Sequence, residues 1–289
     1  MSLKAILYKY HNELDALYGR DEVNSFFNLL MQHYLNLNRV YLVLNPQCVI
    51  SKENEHSFFE ALKQLKCQKP IQYIIGETEF YGLPFKVNEH TLIPRPETEE
   101  LVTWIIESQV QNAKNEQLNI LDIGAGSGCI SISLAKHFLN ATVAALDISE
   151  AALDVVKHNA KLNEVAINCI HDTILNSSIC LENASLKYDI IVSNPPYVRY
   201  LEQVDMRSNV LDYEPHLALF VEDDNPLQFY KSICEFSTVN LKDGGVLYFE
   251  INEYLGEQMI ALMTTFNFES IELKKDMFGK DRMIKGVKR

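Results

Sequence analysis

No Cys-x-x-C pair occurs in this chain, although it carries six cysteines, Cys48, Cys67, Cys129, Cys169, Cys180 and Cys234. Their wide spacing excludes a dithiol redox motif or a thiolate zinc site, and several sit inside apolar runs, so they read as reduced core residues. The eight histidines show no metal-ligand spacing, and no structural or catalytic metal is expected. No apolar run reaches the roughly 18 residues that suggest a membrane span, and the amino terminus lacks a basic-then-apolar signal pattern. A cytoplasmic protein without membrane attachment is the expectation. Long basic stripes are missing too: the clusters are Lys274-Lys275 and Lys285 with Lys288-Arg289, and 26 basic against 39 acidic residues leave a net charge of −13. Phosphate backbones are repelled by that balance, which argues against stable nucleic-acid binding. A protein partner with basic surface is compatible with it. Repeats and low-complexity segments are also absent from the sequence.

What is present is ordinary globular composition, 47% hydrophobic and 22% charged over 289 residues, enough for one large domain and a small one. The pattern changes near residue 75. Before it, Val23, Phe26, Phe27, Leu30, Met31, Tyr34 and Leu35 recur at helical spacing, and Phe58, Phe59, Leu62 and Leu65 repeat it. With Leu3 to Tyr18 and the stretch around Val40 to Leu44, residues 1–74 read as a bundle of four or five helices. Residues 75–96 read as a β-hairpin linker, with Thr78-Glu79-Phe80-Tyr81 and Pro84-Phe85-Lys86-Val87 flanking Gly82-Leu83. Pro94 and Pro96 stiffen the approach to a helix whose first turn holds Glu97, Glu99 and Glu100. From 97 to 289, apolar strands near 118–123, 141–147, 166–171, 188–193, 245–251, 269–274 and 282–287 alternate with helical patterns. That alternation predicts an α/β fold, a seven-stranded, parallel-rich, Rossmann-like sheet with helices on both faces.

Two motifs in this region carry chemistry. The first is the strand Leu118 to Ile123 running into Gly124-Ala125-Gly126-Ser127-Gly128 and then into a helix from Cys129. Glycines permit positive φ and close approach of a ligand to the backbone, and the helix start offers free N–H groups. The spacing differs from the dinucleotide fingerprint and has Asp122 two residues ahead of the first glycine, which favours another nucleoside ligand. A second strand ends in Asp147, about where a ribose ligand belongs; the alternative is a cap for the helix starting near Ser149. Asp122 suits either the ammonium of an amino-acid-bearing cofactor or a buried salt bridge.

The second motif is Asn194-Pro195-Pro196-Tyr197 at the carboxyl end of the apolar strand Tyr188 to Ser193. Two prolines fix φ and remove two donors, leaving carbonyls free to accept. The Asn194 side-chain oxygen and the Pro195 carbonyl can then each accept one hydrogen from a planar NH2 group. Tyr197 would cover its face, contact a developing cation or simply pack as wall. A rigid turn with an incidental aromatic is the structural alternative. Between Val198 and Asn225 an irregular segment containing Asp212-Tyr213-Glu214-Pro215-His216 reads as a lid or as a solvated excursion.

These motifs resemble class I S-adenosylmethionine-dependent methyltransferases, and the Asn-Pro-Pro-Tyr loop resembles those acting on planar amino or amide nitrogens. Ile71 to Val87, continuing to Leu92-Ile93-Pro94-Arg95-Pro96-Glu97-Thr98-Glu99, is similar to the region ahead of the catalytic domain in the peptide-chain release factor glutamine methyltransferases. The likeness covers nearly the whole chain. It implies a last strand antiparallel to the others, S-adenosylmethionine as methyl donor with S-adenosylhomocysteine as product, and release factors as protein partners. The implied substrate is the glutamine of their Gly-Gly-Gln loop; the helical bundle, separate in composition and distant in sequence from the motifs, is expected to dock the release factor. Gly124, Ala125, Gly126, Ser127, Gly128, Asp147, Thr173 and Asn194 are the implied cofactor residues. Asn194, Pro195 and Tyr197 are the implied catalytic group, with Pro196 completing the substrate loop. Several family members have an aromatic where this chain has Asp172-Thr173, which leaves adenine packing open there. Residue chemistry alone reaches only a planar nitrogen, so adenine in DNA or RNA is an alternative substrate. A catalytically idle cofactor-binding module is an alternative of another class.

Overall fold

The computed structural model describes residues 1–109, 117–175 and 187–289. The chain divides into two compact units, one of Met1–Gly76 with Arg207–Tyr213, the other of Glu77–Met206 with Glu214–Arg289. The first unit is helical: α1 Leu3–Tyr18, α2 Arg20–Leu35, α3 Arg39–Leu44, α4 Lys52–Lys66 and α5 Ile71–Ile75. Side chains cap the starts of three of them, Ser2 for α1, Asn38 for α3 and Ser51 for α4, each meeting a backbone N–H that lacks an intrahelical partner. Asn36 ends α2 in the left-handed conformation. Leu3, Ile6, Tyr10 and Leu14 of α1 pack with Phe26, Phe27 and Leu30 of α2 and Phe58, Leu62 and Leu65 of α4. Tyr10 stands edge-on to Phe27 at 5.3 Å and donates its hydroxyl to the Phe58 carbonyl at 2.5 Å, so a polar atom is buried with its bond made. Within the same unit Tyr213 donates to the Cys67 carbonyl at 2.6 Å.

The larger unit opens with the hairpin β1 Glu77–Phe80 and β2 Leu83–Lys86. Its turn is Tyr81-Gly82, one residue earlier than the expected Gly82-Leu83, because Leu83 already pairs with Phe80. Both turn residues have positive φ, 52° and 72°, the twist that suits a two-residue hairpin. Next come α6 Pro96–Gln109, β3 Asn119–Ile123, α7 Cys129–His137, β4 Thr142–Asp147, α8 Glu150–Leu162, β5 Asn168–His171 and β6 Tyr188–Ser193. The expected irregular segment after β6 holds short elements instead: β7 Val198–Arg199, a 3-10 turn Tyr200–Asp205, α9 Ser208–Leu211, which belongs to the first unit, α10 His216–Leu219 and β8 Phe220–Val221. Strands β7 and β8 pair in parallel. The chain ends with α11 Gln228–Asn240, β9 Leu241–Glu250, α12 Gly256–Thr265, β10 Phe268–Lys275 and β11 Asp281–Lys288.

One seven-stranded sheet has the order β10-β11-β9-β6-β3-β4-β5. All seven expected strands are in it, and β11 is antiparallel to both neighbours while β9, β6, β3, β4 and β5 run parallel. Alternation along the strands feeds two cores. Ile120, Ile190 and Tyr248 face α6 and α7, whose Leu101, Trp104, Ile130 and Leu134 cover them. Leu121, Ile191 and Phe249 face α11 and α12 with Tyr230, Ile233 and Met259. Burial on both faces explains why the central strands β3, β4 and β6 read as continuous apolar runs.

Asn159 of α8, fully buried, joins three parts of this unit: its Nδ2 donates to the Lys86 and Ser127 carbonyls, both at 2.9 Å, and its Oδ1 accepts from the Lys86 N–H at 2.7 Å. Asn159→Ala leaves all three backbone groups without this partner. It should lower stability by about 2 kcal/mol or more, read as an earlier thermal unfolding transition; an unchanged transition would show that these groups find other partners.

Candidate active site

The site is built at the carboxyl ends of β3, β4 and β6. From β3 the chain winds outward through β4 and β5, then returns to set β6 on the other flank of β3. Connections leave in opposite directions at such a reversal, and a crevice opens outside the strand ends. Register decides which residues meet there. Ile123 pairs with Leu146 on one side and with Ser193 on the other, and the Ser193 hydroxyl donates to the Ile123 carbonyl at 2.6 Å. The residues that follow, Gly124, Asp147 and Asn194, are thereby brought side by side. A cavity of about 400 Å³ lies here; its wall contains Gly124, Ala125, Gly126, Ser127, Asp147, Thr173, Asn194, Pro195 and Pro196, but neither Gly128 nor Tyr197.

Gly124, Gly126 and Gly128 have φ of 75°, 54° and 79°, a region costly for residues with a Cβ. At Gly128 a Cβ would also meet Ile132 Cδ1 at 3.0 Å and Val156 Cγ1 at 3.1 Å, so this glycine serves the packing of the turn on α7 and α8. The Gly124 and Ala125 N–H groups donate to the Leu146 carbonyl at 2.8 and 3.1 Å. Asp147 completes the attachment: Oδ2 accepts from the Gly126 N–H and Oδ1 from the Ser149 N–H, both at 2.9 Å. The cap of α8 is Ser149, whose Oγ accepts from the Ala152 N–H. Burial raises the Asp147 carboxyl, and its backbone N–H partners oppose that shift. Thr173 is ordered by a tight turn, its N–H donating to Asp172 Oδ1 at 2.7 Å and its Oγ1 accepting from the Leu175 N–H at 3.2 Å. Ile148, Ile174 and Leu175 add apolar wall beside it. Exposed backbone at a glycine turn, a carboxylate acceptor and adjacent apolar surface suit a nucleoside bearing a polar tail.

Asp122 departs from both expected roles. It is fully buried outside the cavity wall, its Oδ2 accepts from the Ser131 N–H at 3.0 Å, and its Oδ1 has no partner. It holds the start of α7 and, among the described residues, meets no cation. Desolvation pushes its carboxyl up to about 7.

On the other flank, Asn194 Nδ2 donates to Thr98 Oγ1 at 3.4 Å, and the Thr98 hydroxyl donates to Glu250 Oε2 at 2.6 Å. Tyr197 donates to Glu250 Oε1 at 3.0 Å, and Tyr230 donates to the Glu250 carbonyl at 3.2 Å. Burial raises the Glu250 carboxyl, while the Thr98 and Tyr197 hydroxyls and the Arg282 charge pull it down. The Tyr197 ring packs against the core cluster of Ile123 and Phe249, and its phenol is pushed well above the ordinary range by burial and the Glu250 charge. Of the expected loop residues, Asn194, Pro195 and Pro196 face the cavity; Tyr197 braces the loop from behind.

A third buried carboxylate closes the rim. Glu214 Oε1 accepts from Arg95 Nη2 at 2.6 Å, and Oε2 accepts from the Ile93 N–H at 3.3 Å. It ties Pro94 and Arg95 to Pro215, Leu217 and Ala218, all in the cavity wall. Glu250 and Asn159 escaped the sequence reading, and Thr98 and Glu214 appeared in it only as members of longer segments. A charged residue ending the apolar run Val246 to Phe249 was the available signal for Glu250. The cysteines also need correction: Cys129 and Cys234 are buried, Cys48 and Cys169 are half-buried, Cys67 is exposed, and Cys180 lies outside the described residues. Among the described residues no group of three or more His, Cys, Asp and Glu could hold a metal ion, and no helix is long and apolar enough to cross a membrane.

The methyltransferase small domain family matches residues 103–212, and the PrmC N-terminal domain family matches residues 13–76. A release factor glutamine methyltransferase of Flavobacterium psychrophilum is 50% identical over 285 residues, 99% of each chain. Its namesake in Bacteroides thetaiotaomicron is 38% identical over 94% of this chain and 95% of its own. The solved structure of the T. thermophilus 16S rRNA N2 methyltransferase RsmC, in complex with AdoMet and guanosine, is similar in fold, with a TM-score of 0.53 and 16% identity over 74% of this chain and 50% of that one. Full-length coverage at such identity settles kinship: the chain belongs to the release factor glutamine methyltransferase family.

Proposed function

We propose that this protein methylates the side-chain amide nitrogen of the glutamine in the Gly-Gly-Gln loop of peptide-chain release factors, in the cytoplasm, with S-adenosylmethionine as donor. The observation that carries this reading is a single cavity walled by the glycine turn and Asp147 on one flank and by Asn194 and Pro195 on the other. Gly124 to Ser127, Asp147 and Thr173, with Ile148 and Ile174, are the residues that would hold the donor. When bound, it supplies a methyl group already activated by a positive sulfur.

The chain's own task is alignment. A glutamine amide nitrogen is a poor nucleophile, because its lone pair is delocalised into the carbonyl. Asn194 Oδ1 and the Pro195 carbonyl accept its two hydrogens, which raises the electron density on nitrogen and favours a pyramidal geometry. Only interactions that strengthen toward the transition state accelerate the step, and fixing the nitrogen in line with the methyl supplies the rest. The prolines hold the loop stiff, and Tyr197, bonded to Glu250, keeps it in place. No base is required beforehand, since the methylated nitrogen is cationic and sheds its proton to solvent. Relatives named for release factor glutamine do not favour adenine in DNA or RNA or an idle module, and a net charge of −13 suits a protein substrate better than a nucleic acid. We assign release factor docking to the helical unit.

Asp147→Ala should weaken S-adenosylmethionine binding by about tenfold or more, since charge-assisted hydrogen bonds are lost; calorimetry giving an unchanged dissociation constant for a folded variant would remove Asp147 from the cofactor site. A chain beginning at Pro70 should keep cofactor affinity yet methylate a release factor with reduced kcat/KM, and equal efficiency with and without the bundle would end the docking assignment. Asn194→Ala should slow single-turnover methylation at saturating cofactor by roughly 10²–10³-fold. A near-normal rate from that variant would reduce the Asn-Pro-Pro-Tyr loop to a turn.

A further inference from the structure

We propose that Glu250 and Thr98 are positioning residues that fix which way the Asn194 amide points. The proposal rests on the reading of Asn194 as an acceptor for the substrate nitrogen. An asparagine amide is nearly symmetric in shape, so packing alone selects weakly between presenting its oxygen or its NH2 to the cavity. The wrong choice sets donor against donor when the substrate is an amide nitrogen. Hydrogen-bond polarity decides the matter, and its source lies one strand away.

Glu250 ends β9 with 1% of its surface exposed, and Thr98 in the first turn of α6 has 2%. The two hydroxyl donors reaching the carboxylate are Thr98 at 2.6 Å and Tyr197 at 3.0 Å, one on each oxygen. Each hydroxyl has one proton, and both protons are directed at Glu250. An ionised carboxylate can only accept. With its proton committed to Glu250, Thr98 Oγ1 can offer Asn194 nothing but a lone pair. The Asn194 NH2 must therefore turn to Thr98, the contact seen at 3.4 Å, and the planar amide then points Oδ1 the opposite way. The polarity runs Glu250, Thr98, Asn194, and its end is an acceptor of fixed sense beside the Pro195 carbonyl. A flipped amide would face Thr98 oxygen to oxygen, with no proton between them.

Thr98→Val keeps the shape and removes the hydroxyl, whereas Thr98→Ser keeps the hydroxyl. Single-turnover methylation of a release factor at saturating cofactor should fall about tenfold in Thr98→Val, the scale of one hydrogen bond, and recover most of the way in Thr98→Ser. Cofactor affinity should stay near normal in both. Glu250→Gln, which can donate as well as accept and so releases the Thr98 proton, should slow the step in the same direction, with thermal unfolding run alongside to confirm the fold. The deciding measurement is a double-mutant cycle: in an Asn194→Ala chain, Thr98→Val should slow the step far less than it does in the wild-type chain, because the amide it orients is gone. Full additivity with a damaging Asn194→Ala would overturn the positioning role and leave the acceptor reading intact. A harmless Asn194→Ala would overturn both. Undiminished activity in a folded Glu250→Gln protein would remove Glu250 from the chain of polarity.

Discussion

The pairing of Ile123 with Leu146 on one side and Ser193 on the other is the constraint on which the rest of the larger unit depends. It fixes the level at which three loops leave the sheet. Parallel neighbours lie about 5 Å apart, so residues that follow paired positions start within reach of one another although they are distant in sequence. A slip by one residue would send each side chain to the opposite face. Both faces of β3 are core, with Ile120 in one cluster and Leu121 in the other, and a slip would disrupt both. The packing that stabilises the sheet is therefore the same packing that sets the glycine turn beside the Asn-Pro-Pro-Tyr loop. The Ser193 hydroxyl on the Ile123 carbonyl adds a polar stitch at the level where the site begins.

Around that junction the protein buries carboxylates. Asp122, Glu214 and Glu250 are each 3% exposed or less, and burial raises all three above the usual carboxylate range. Such groups contribute little net stability, because desolvation offsets much of what their partners return. Their effect is geometric. Asp122 holds the first turn of α7, Glu214 joins two chain segments at the cavity rim, and the Glu250 carboxylate gathers α6 and the Asn-Pro-Pro-Tyr loop through Thr98 and Tyr197, while its backbone carbonyl accepts from Tyr230 of α11. Glu214 and Glu250 are multi-centre anchors, so loss of one partner leaves a buried group short of a hydrogen bond, which is costlier than the loss of a surface pair.

Much of this was legible in the linear chain. Continuous apolar runs marked the central strands because both faces of the sheet are covered there, helical spacing marked α2 and α4, and glycines and prolines marked the two loops because those residues suit the backbone each loop needs. The Asp147 carboxylate was also visible, as an acidic end to an apolar strand. Thr98 lay within the Ile-Pro-Arg-Pro-x-Thr-Glu segment, yet nothing local showed its tie to Glu250, 152 residues away. Tyr197 was readable as an aromatic beside the site, but whether its ring faced the cavity or braced the loop depended on where Glu250 stood. Local conformation follows from short-range sterics and patterning, and these the sequence by itself determined. Hydrogen-bond partners across the sheet, the burial that shifts a carboxyl and the direction an amide faces come from segments that meet only when the strands pair, and the tertiary structure alone decided them.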